Sequence, residues 1–178
     1  MKKIFMTLAA AVLAISASAQ VYVGGAAGMK SVSYDGNSTT SFVIMPEIGY
    51  NLDDNWALGI SVGYGESGKN ATKVKTFVVN PYARYTFAKF SKVNLFVDGG
   101  FSFENVDDAS VGYKVNAWGI GLKPGIAVNL NEKFSLVAHL GYLGYMSEKP
   151  DFDGAKATNT FGLNVDATTV NFGFYYNF

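Results

Sequence analysis

From Phe42 onward, apolar side chains recur at every second position in runs broken by short polar stretches. The first run is Phe42, Ile44, Pro46, Ile48, Tyr50 and Leu52. Trp56 to Tyr64, Phe77 to Phe87, Val93 to Phe103, Trp118 to Leu130, Phe134 to Tyr142 and Phe172 to Phe178 follow the same rule. A strand sends successive side chains to opposite faces, so period two predicts strands; the helical period is almost absent. A further strand is expected over roughly 21–33, where Gly24, Gly25, Ala26, Ala27 and Gly28 blur the two faces. That makes eight strands, an even number, in an all-β fold.

The connections fall into two classes. Leu52 and Trp56 are separated only by Asp53-Asp54-Asn55, Leu130 and Phe134 only by Asn131-Glu132-Lys133, and Phe87 and Val93 by residues 88–92. These are tight hairpin turns. The other connections are longer and more polar, at about 34–41, 66–75, 105–115 and 147–160. Short and long alternate, so the tight turns gather at one end of an up-and-down sheet. PEIGYNL, PYARYTF and PGIAVNL place Pro46, Pro81 and Pro124 six residues before the last apolar residue of strands two, four and six. Proline lacks the ladder donor, and the repeat suggests a bulge at one height of a curved sheet.

The apolar faces could line the inside of a soluble sandwich or the outside of a membrane barrel. The opposite faces carry Gly49, Gly59, Gly63, Gly65, Gly100, Gly119, Gly121, Gly125, Gly141 and Gly173. Glycine weakens a solvated strand, yet it makes room inside an eight-stranded barrel, whose interior only just holds side chains. There it would leave space for Tyr82, Arg84, Phe96, Lys123 and Tyr175. The apolar faces also end in rings: Phe42, Trp56, Tyr64, Phe77, Phe87, Trp118 and Tyr142. Ten tilted residues rise roughly 25 Å, the height of a bilayer band bordered by aromatic girdles. The final run carries no gatekeeper charge, so it is expected to close onto the first strand, and in lipid such closure is mandatory. The reading is an eight-stranded antiparallel up-and-down transmembrane β-barrel.

Composition agrees. Charged residues are 16% and aromatics 15% of the chain, against the roughly 25–35% charge of a soluble surface. Met1-Lys2-Lys3, the apolar run Ile4–Ile15 and Ala17-Ser18-Ala19 have the order of a cleaved signal peptide over 1–19, leaving a barrel domain over 20–178. Losing Lys2 and Lys3 leaves 12 of the 14 basic residues against 14 acidic ones, a formal charge of −2. Nothing basic calls for nucleic acid. The chain has no cysteine, which excludes disulfides and thiolate chemistry.

Candidate chemistry lies on the inward face. Glu47, Asp98 and His139 sit five residues up their strands from the tight turns, Arg84 three and Lys123 seven, with Glu104 higher. Two acids and two bases at similar depth must pair if they are enclosed. They form either a plug that fixes the register or a narrow gate for ions. His139 has only Val137 and Gly141 as inward neighbours on its strand, so it is expected to be hydrogen-bonded rather than catalytic. No metal or cofactor site is expected. VGGAAG over 23–28 is not followed by a helix, so it does not read as a phosphate cradle. The triplets Asn37-Ser38-Thr39 and Asn70-Ala71-Thr72 are expected to be plain loop residues. The long loops bring Asp35, Glu66, Lys69, Asp107, Asp108, Glu148, Lys149, Asp151, Asp153 and Lys156 to one end, with Tyr34, Tyr113, Phe152 and Phe161 as aromatic contacts.

The last residues match a signal: polar at Asn171, glycine at Gly173, aromatic at Tyr176 and Phe178. With the leader-like start, this resembles the small eight-stranded bacterial outer-membrane barrels, the OmpA-barrel, OmpX and OmpW group and the outer membrane protein beta-barrel domain proteins. The resemblance implies export through the signal peptide, periplasmic chaperones, insertion into outer-membrane lipid by the barrel-assembly machinery, and a monomer. It implies no enzyme activity. Two roles follow from it: a structural or surface-interaction barrel with a plugged polar lumen and outward loops, or an OmpW-like channel or transporter for small, hydrophobic solutes. For the second role Phe96, Val137 and Leu143 would supply inward apolar surface.

Overall fold

The computed structural model describes residues 20–34, 37–68, 72–164 and 171–178. The expected leader 1–19, Asp35, Lys69 and the Asn70-Ala71 part of one triplet lie outside them. The described residues form ten strand segments: β1 Val21–Tyr34, β2 Asn37–Asn51, β3 Trp56–Ser67, β4 Val74–Lys89, β5 Val93–Asp108, β6 Tyr113–Asn129, β7 Phe134–His139, β8 Tyr142–Pro150, β9 Thr158–Asn164 and β10 Asn171–Asn177. β7 and β8 are two halves of one stave, and β9 and β10 two halves of the next. Every neighbouring pair is antiparallel, and β10 returns to β1, with Tyr22 opposite Asn177 and Gly25 opposite Phe174. The result is a closed eight-stranded antiparallel barrel.

Two of the tight turns share one mechanism. In the β2–β3 turn, the backbone N–H of Asn55 and Trp56 donate to Asp53 Oδ1 at 2.7 and 2.8 Å. In the β6–β7 turn, Lys133 and Phe134 donate to Asn131 Oδ1, both at 2.9 Å. Leu52 N–H closes onto the Trp56 carbonyl and Leu130 N–H onto that of Phe134, each at 2.8 Å. An Asx side chain at the same place in both turns thus mimics a backbone turn. In the β4–β5 turn, Phe90 N–H donates to Val93 O at 2.8 Å, and just before it the β4–β5 register slips by one residue between Thr86 and Ala88.

The apolar runs face outward. Leu58, Leu122 and Phe174 in the middle of their strands are 49%, 46% and 53% exposed. Tyr22, Phe96, Val137 and Tyr175 are buried in the lumen beside Arg84 and Asp98. The inward glycines receive rings. A Cβ on Gly49 would meet the Tyr22 ring at 2.1 Å, and one on Gly59 the Tyr82 hydroxyl at 2.3 Å. One on Gly125 would meet the Phe96 ring at 2.3 Å, and one on Gly24 the Tyr175 ring at 2.2 Å. Each ring lies flat over the neighbouring strand because no side chain stands there.

Five expectations need correction, the first being the triplet Asn37-Ser38-Thr39, which lies in β2 opposite β1 rather than in a loop. The long connections are shorter than the polarity suggests: β5 runs to Asp108 and β6 starts at Tyr113, while β8 reaches Pro150 and β9 starts at Thr158. Alternation fades where lipid would end, but the ladders continue above it, with Lys75 opposite Glu66 and Lys114 opposite Asp107. Phe161 is therefore a strand residue opposite Tyr145, not a loop contact.

Tyr142 and Leu143 exchange faces. Gly125 pairs with His139, yet Leu122 pairs with Leu143, so one extra residue is accommodated around Leu140 and Gly141. This bulge turns the Tyr142 ring inward over Gly121 and Gly144. Leu143 then points out, and Tyr145 takes the upper girdle place, 5.5 Å from Trp118. A one-residue slip moves every later side chain to the other face.

The prolines do not share a bulge. Each interrupts the ladder toward the following strand, but the register continues unchanged on both sides of Pro46 and Pro81. Only Pro124 lies opposite a slip, with its carbonyl accepting from Leu140 N–H at 2.9 Å.

Replacing Asn131 by Ala removes two hydrogen bonds from the β6–β7 turn. It is expected to cost about 1 kcal/mol in urea unfolding of the membrane-inserted barrel, and an unchanged midpoint would contradict the turn mechanism. In Asp53 the two backbone donors hold the carboxyl below its ordinary value. Its folded pKa is lower than its unfolded one, so the stabilisation is present above about pH 4 and fades as pH falls through the folded value. Asp53→Asn keeps the acceptor without the titration. The stability difference between wild type and this variant should therefore shift against wild type on acidification, and a pH-independent difference would contradict it.

Candidate functional site

The lumen is crossed by one charged layer. Arg84 projects inward from β4 opposite Asp98 of β5. Its Nε donates to Asp98 Oδ1 at 2.7 Å and its Nη2 to Oδ2 at 2.8 Å, a bidentate pair. His139 Nε2 lies 2.8 Å from the same Oδ2. Arg84 Nη2 also donates to the Tyr175 hydroxyl at 3.2 Å and approaches Glu47 Oε1 at 3.8 Å. Glu47 Oε1 in turn accepts from Tyr175 at 2.6 Å and from Tyr82, whose hydroxyl meets that of Tyr22 at 2.6 Å. The layer thus ties together β1, β2, β4, β5, β7 and β10.

Rings enclose the guanidinium. Its carbon is 4.0 Å from the Phe96 centroid, 5.2 Å from that of Tyr175, 5.3 Å from Tyr82 and 5.8 Å from Tyr22. Phe96 also meets His139 edge-on at 5.5 Å. Arginine suits such a place, because its fork satisfies a carboxylate bidentately while its face stacks on π systems. Arg84 and Asp98 are 7% and 5% exposed, and a charge so enclosed needs the partners it has here.

Of the five sequence-predicted interior residues, the fold brings Glu47, Arg84, Asp98 and His139 together. Lys123 is left out. It is the register partner of Asp98, but its ammonium makes no ion pair or hydrogen bond among the described residues. Glu104, higher on the same wall, is likewise unpaired there. The residues that sequence reasoning missed as part of the layer are the tyrosines. Tyr82 and Tyr175 were expected inside only as bulk, and Tyr22 lies on the glycine-blurred first strand. The signal that could have found them is the glycine opposite each ring, Gly49, Gly59 and Gly24.

The layer separates two spaces. Toward the tight turns lies a cavity of about 500 Å³, lined by Asn55, Asn94, Asn129 and Ser135. Toward the long loops lies another of about 430 Å³, lined by Met45, Val78, Asn80, Glu104 and Lys123. Arg84 and Tyr175 border the first; Glu47, Asp98, His139 and Tyr175 border the second. The terminal residues Gly173 and Tyr176 lie on β10, opposite Val137 and Phe134 of β7, and Phe178 N–H donates to Val21 O at 3.1 Å. Asn171 pairs with His139 at the upper end of the segment.

The same barrel occurs in solved structures. Neisserial surface protein A (NspA) is 19% identical with a TM-score of 0.52, the match covering 90% of this chain and 98% of that one. OprG of Pseudomonas aeruginosa is 16% identical with a TM-score of 0.53, covering 89% and 96%. The N-terminal β-barrel domain of Pseudomonas aeruginosa OprF is 15% identical with a TM-score of 0.50, covering 89% and 98%. At such identities the likeness concerns the fold. No curated protein matches the sequence. The family model described as "Outer membrane protein beta-barrel domain" matches residues 4–178. With an exposed apolar band outside, ions and glycines inside and a sheet closed on itself, the chain belongs to the outer membrane protein beta-barrel domain family.

Proposed function

We propose that the protein is a bacterial outer-membrane barrel with a plugged lumen, acting in membrane structure or in surface interaction through its extracellular loops. The carrying observation is the Arg84 layer, which fills the lumen between two cavities with mutually satisfied side chains. An eight-stranded barrel has interior room only for side chains, and this one uses that room for a cross-linked network. The loop between β8 and β9 presents Phe152, 5.1 Å from the Tyr113 ring, and the loop between β5 and β6 presents Val111, both as exposed apolar contacts. His139 is assigned to the layer rather than to a reaction, since its Nε2 is engaged by Asp98. Residues 1–19 are assigned to export, and Asn171, Gly173, Tyr176 and Phe178 to recognition by the barrel-assembly machinery.

A second reading, passage of small hydrophobic solutes, is favoured by one observation. The upper cavity reaches Ala26 and Phe172. An apolar solute entering from the loops would meet Met45, Val78 and Phe172 there without crossing the Arg84 layer.

Planar-bilayer recording tests the plug. Wild type is expected to show no stable conductance, while Arg84→Ala opens a water-filled path. A wild-type conductance that Arg84→Ala leaves unchanged would contradict the reading. Removing one partner of a buried pair typically costs about 3–5 kcal/mol, whereas apolar replacement of both is often neutral. Arg84→Met should therefore destabilise strongly in urea and Arg84→Met with Asp98→Leu should recover much of the loss. Equal stability of the single variant and wild type would show that the layer holds nothing together.

A further inference from the structure

We propose that the extracellular half of the lumen is a binding site for a small zwitterion with an apolar side chain, such as an apolar amino acid. The inference goes beyond the plug, since it concerns binding above the charged layer and needs no passage through it.

Three groups without a partner among the described residues face one cavity. Asn80, 8% exposed, donates from Nδ2 to Ser61 Oγ at 3.3 Å, and its buried Oδ1 has no partner among the described residues. Exchanging the amide oxygen and nitrogen would only trade an unpaired acceptor for an unpaired donor. Lys123 stands at the floor, level with Asp98, yet Asp98 is already taken by Arg84 and His139. Glu104 stands six residues farther up β5, and Ala117 lies between it and Glu148, so the mouth is acidic on this wall. The fields of Asp98, Glu47 and Glu104 all reach Lys123, but none of these carboxylates pairs with it. An enclosed charge or amide without a partner is unfavourable, and here a cation and an acid that are unpaired among the described residues line the same space.

The order of these groups selects the ligand. The cation below and the acids above fit a carboxylate pointing down and an ammonium pointing up. Met45 and Val78 offer an apolar, adaptable wall for the side chain between them. The volume, about 430 Å³, is at the small end of ligand pockets. An anion alone would leave Glu104 and Glu148 facing it; a cation alone would face Lys123.

The test is calorimetric titration of the folded, detergent-solubilised barrel with L-leucine, leucinamide, which lacks the carboxylate, and N-acetyl-leucine, which lacks the ammonium. Folding of each variant is checked by its heat-dependent gel mobility. L-Leucine should bind saturably, and each derivative about tenfold or more weakly, as expected for the loss of one charge-assisted hydrogen bond. Lys123→Met should abolish the preference for leucine over leucinamide, and Glu104→Gln the preference over N-acetyl-leucine. The derivative series on wild type decides the matter even if a variant does not fold. Absence of saturable leucine binding, or equal binding of all three compounds by wild type, overturns the proposal, as do variants that keep both preferences.

Discussion

In hydrocarbon there is no water to pair with a backbone amide or carbonyl, and each group left unpaired costs several kcal/mol. A sheet that lies in lipid must therefore close on itself. Here closure is made where β10 pairs with Tyr22–Gly25 of β1, and the rest follows. Once the sheet is closed, one face of every strand belongs to lipid and the other to a narrow interior. The outward face can be as apolar as the bilayer asks. The inward face must fit eight strands' side chains into a tube scarcely wider than they are.

That tightness explains the pairing of glycines with rings. Tyr22, Tyr82, Phe96 and Tyr175 each lie across a glycine of the adjacent strand, so their bulk fits without pushing the wall outward. Laid flat, their hydroxyls and faces converge on Arg84. Tyr175 links Glu47 to the guanidinium, Tyr82 donates to Glu47 and meets the Tyr22 hydroxyl, and Phe96 lies against the guanidinium. The ion layer and the glycine pattern are one arrangement: the glycines set the rings down, and the rings surround the charge. The layer also joins strands distant in sequence, from β2 to β10, which fixes the register that a ladder of backbone bonds alone could let slip.

Much of this was legible in the sequence because lipid imposes a strict period. Leu58, Leu122 and Phe174 declare their face by alternation alone, and Asp53 and Asn131 declare their turns by residue type. The interior was legible only in part. Depth counted from the tight turns brought Glu47, Arg84, Asp98 and His139 to one level, but the same count placed Lys123 with them, and its ammonium is unpaired among the described residues because Asp98 is already taken by Arg84 and His139. Tyr142 was misplaced because a bulge at Leu140–Gly141 changes parity, and Gly141 gives no more signal than the many glycines that merely make room. Strand ends were misjudged at Asp108 and Pro150 because ladders outlast the apolar pattern: above the bilayer, Asp107 and Lys114 pair across strands in water.

The central claim is which way the side chains of a strand point, and β6 tests it. The chain contains no cysteine, so single cysteines can be placed and spin-labelled without background. In bilayers, labels at Trp118, Ile120, Leu122, Ile126 and Val128 should be accessible to oxygen dissolved in the acyl region. Labels at Ala117, Lys123 and Ala127 should be shielded from it. Alternation of oxygen accessibility with period two in this phase is the expected result. Accessibility without alternation, or alternation in the opposite phase, would contradict the account.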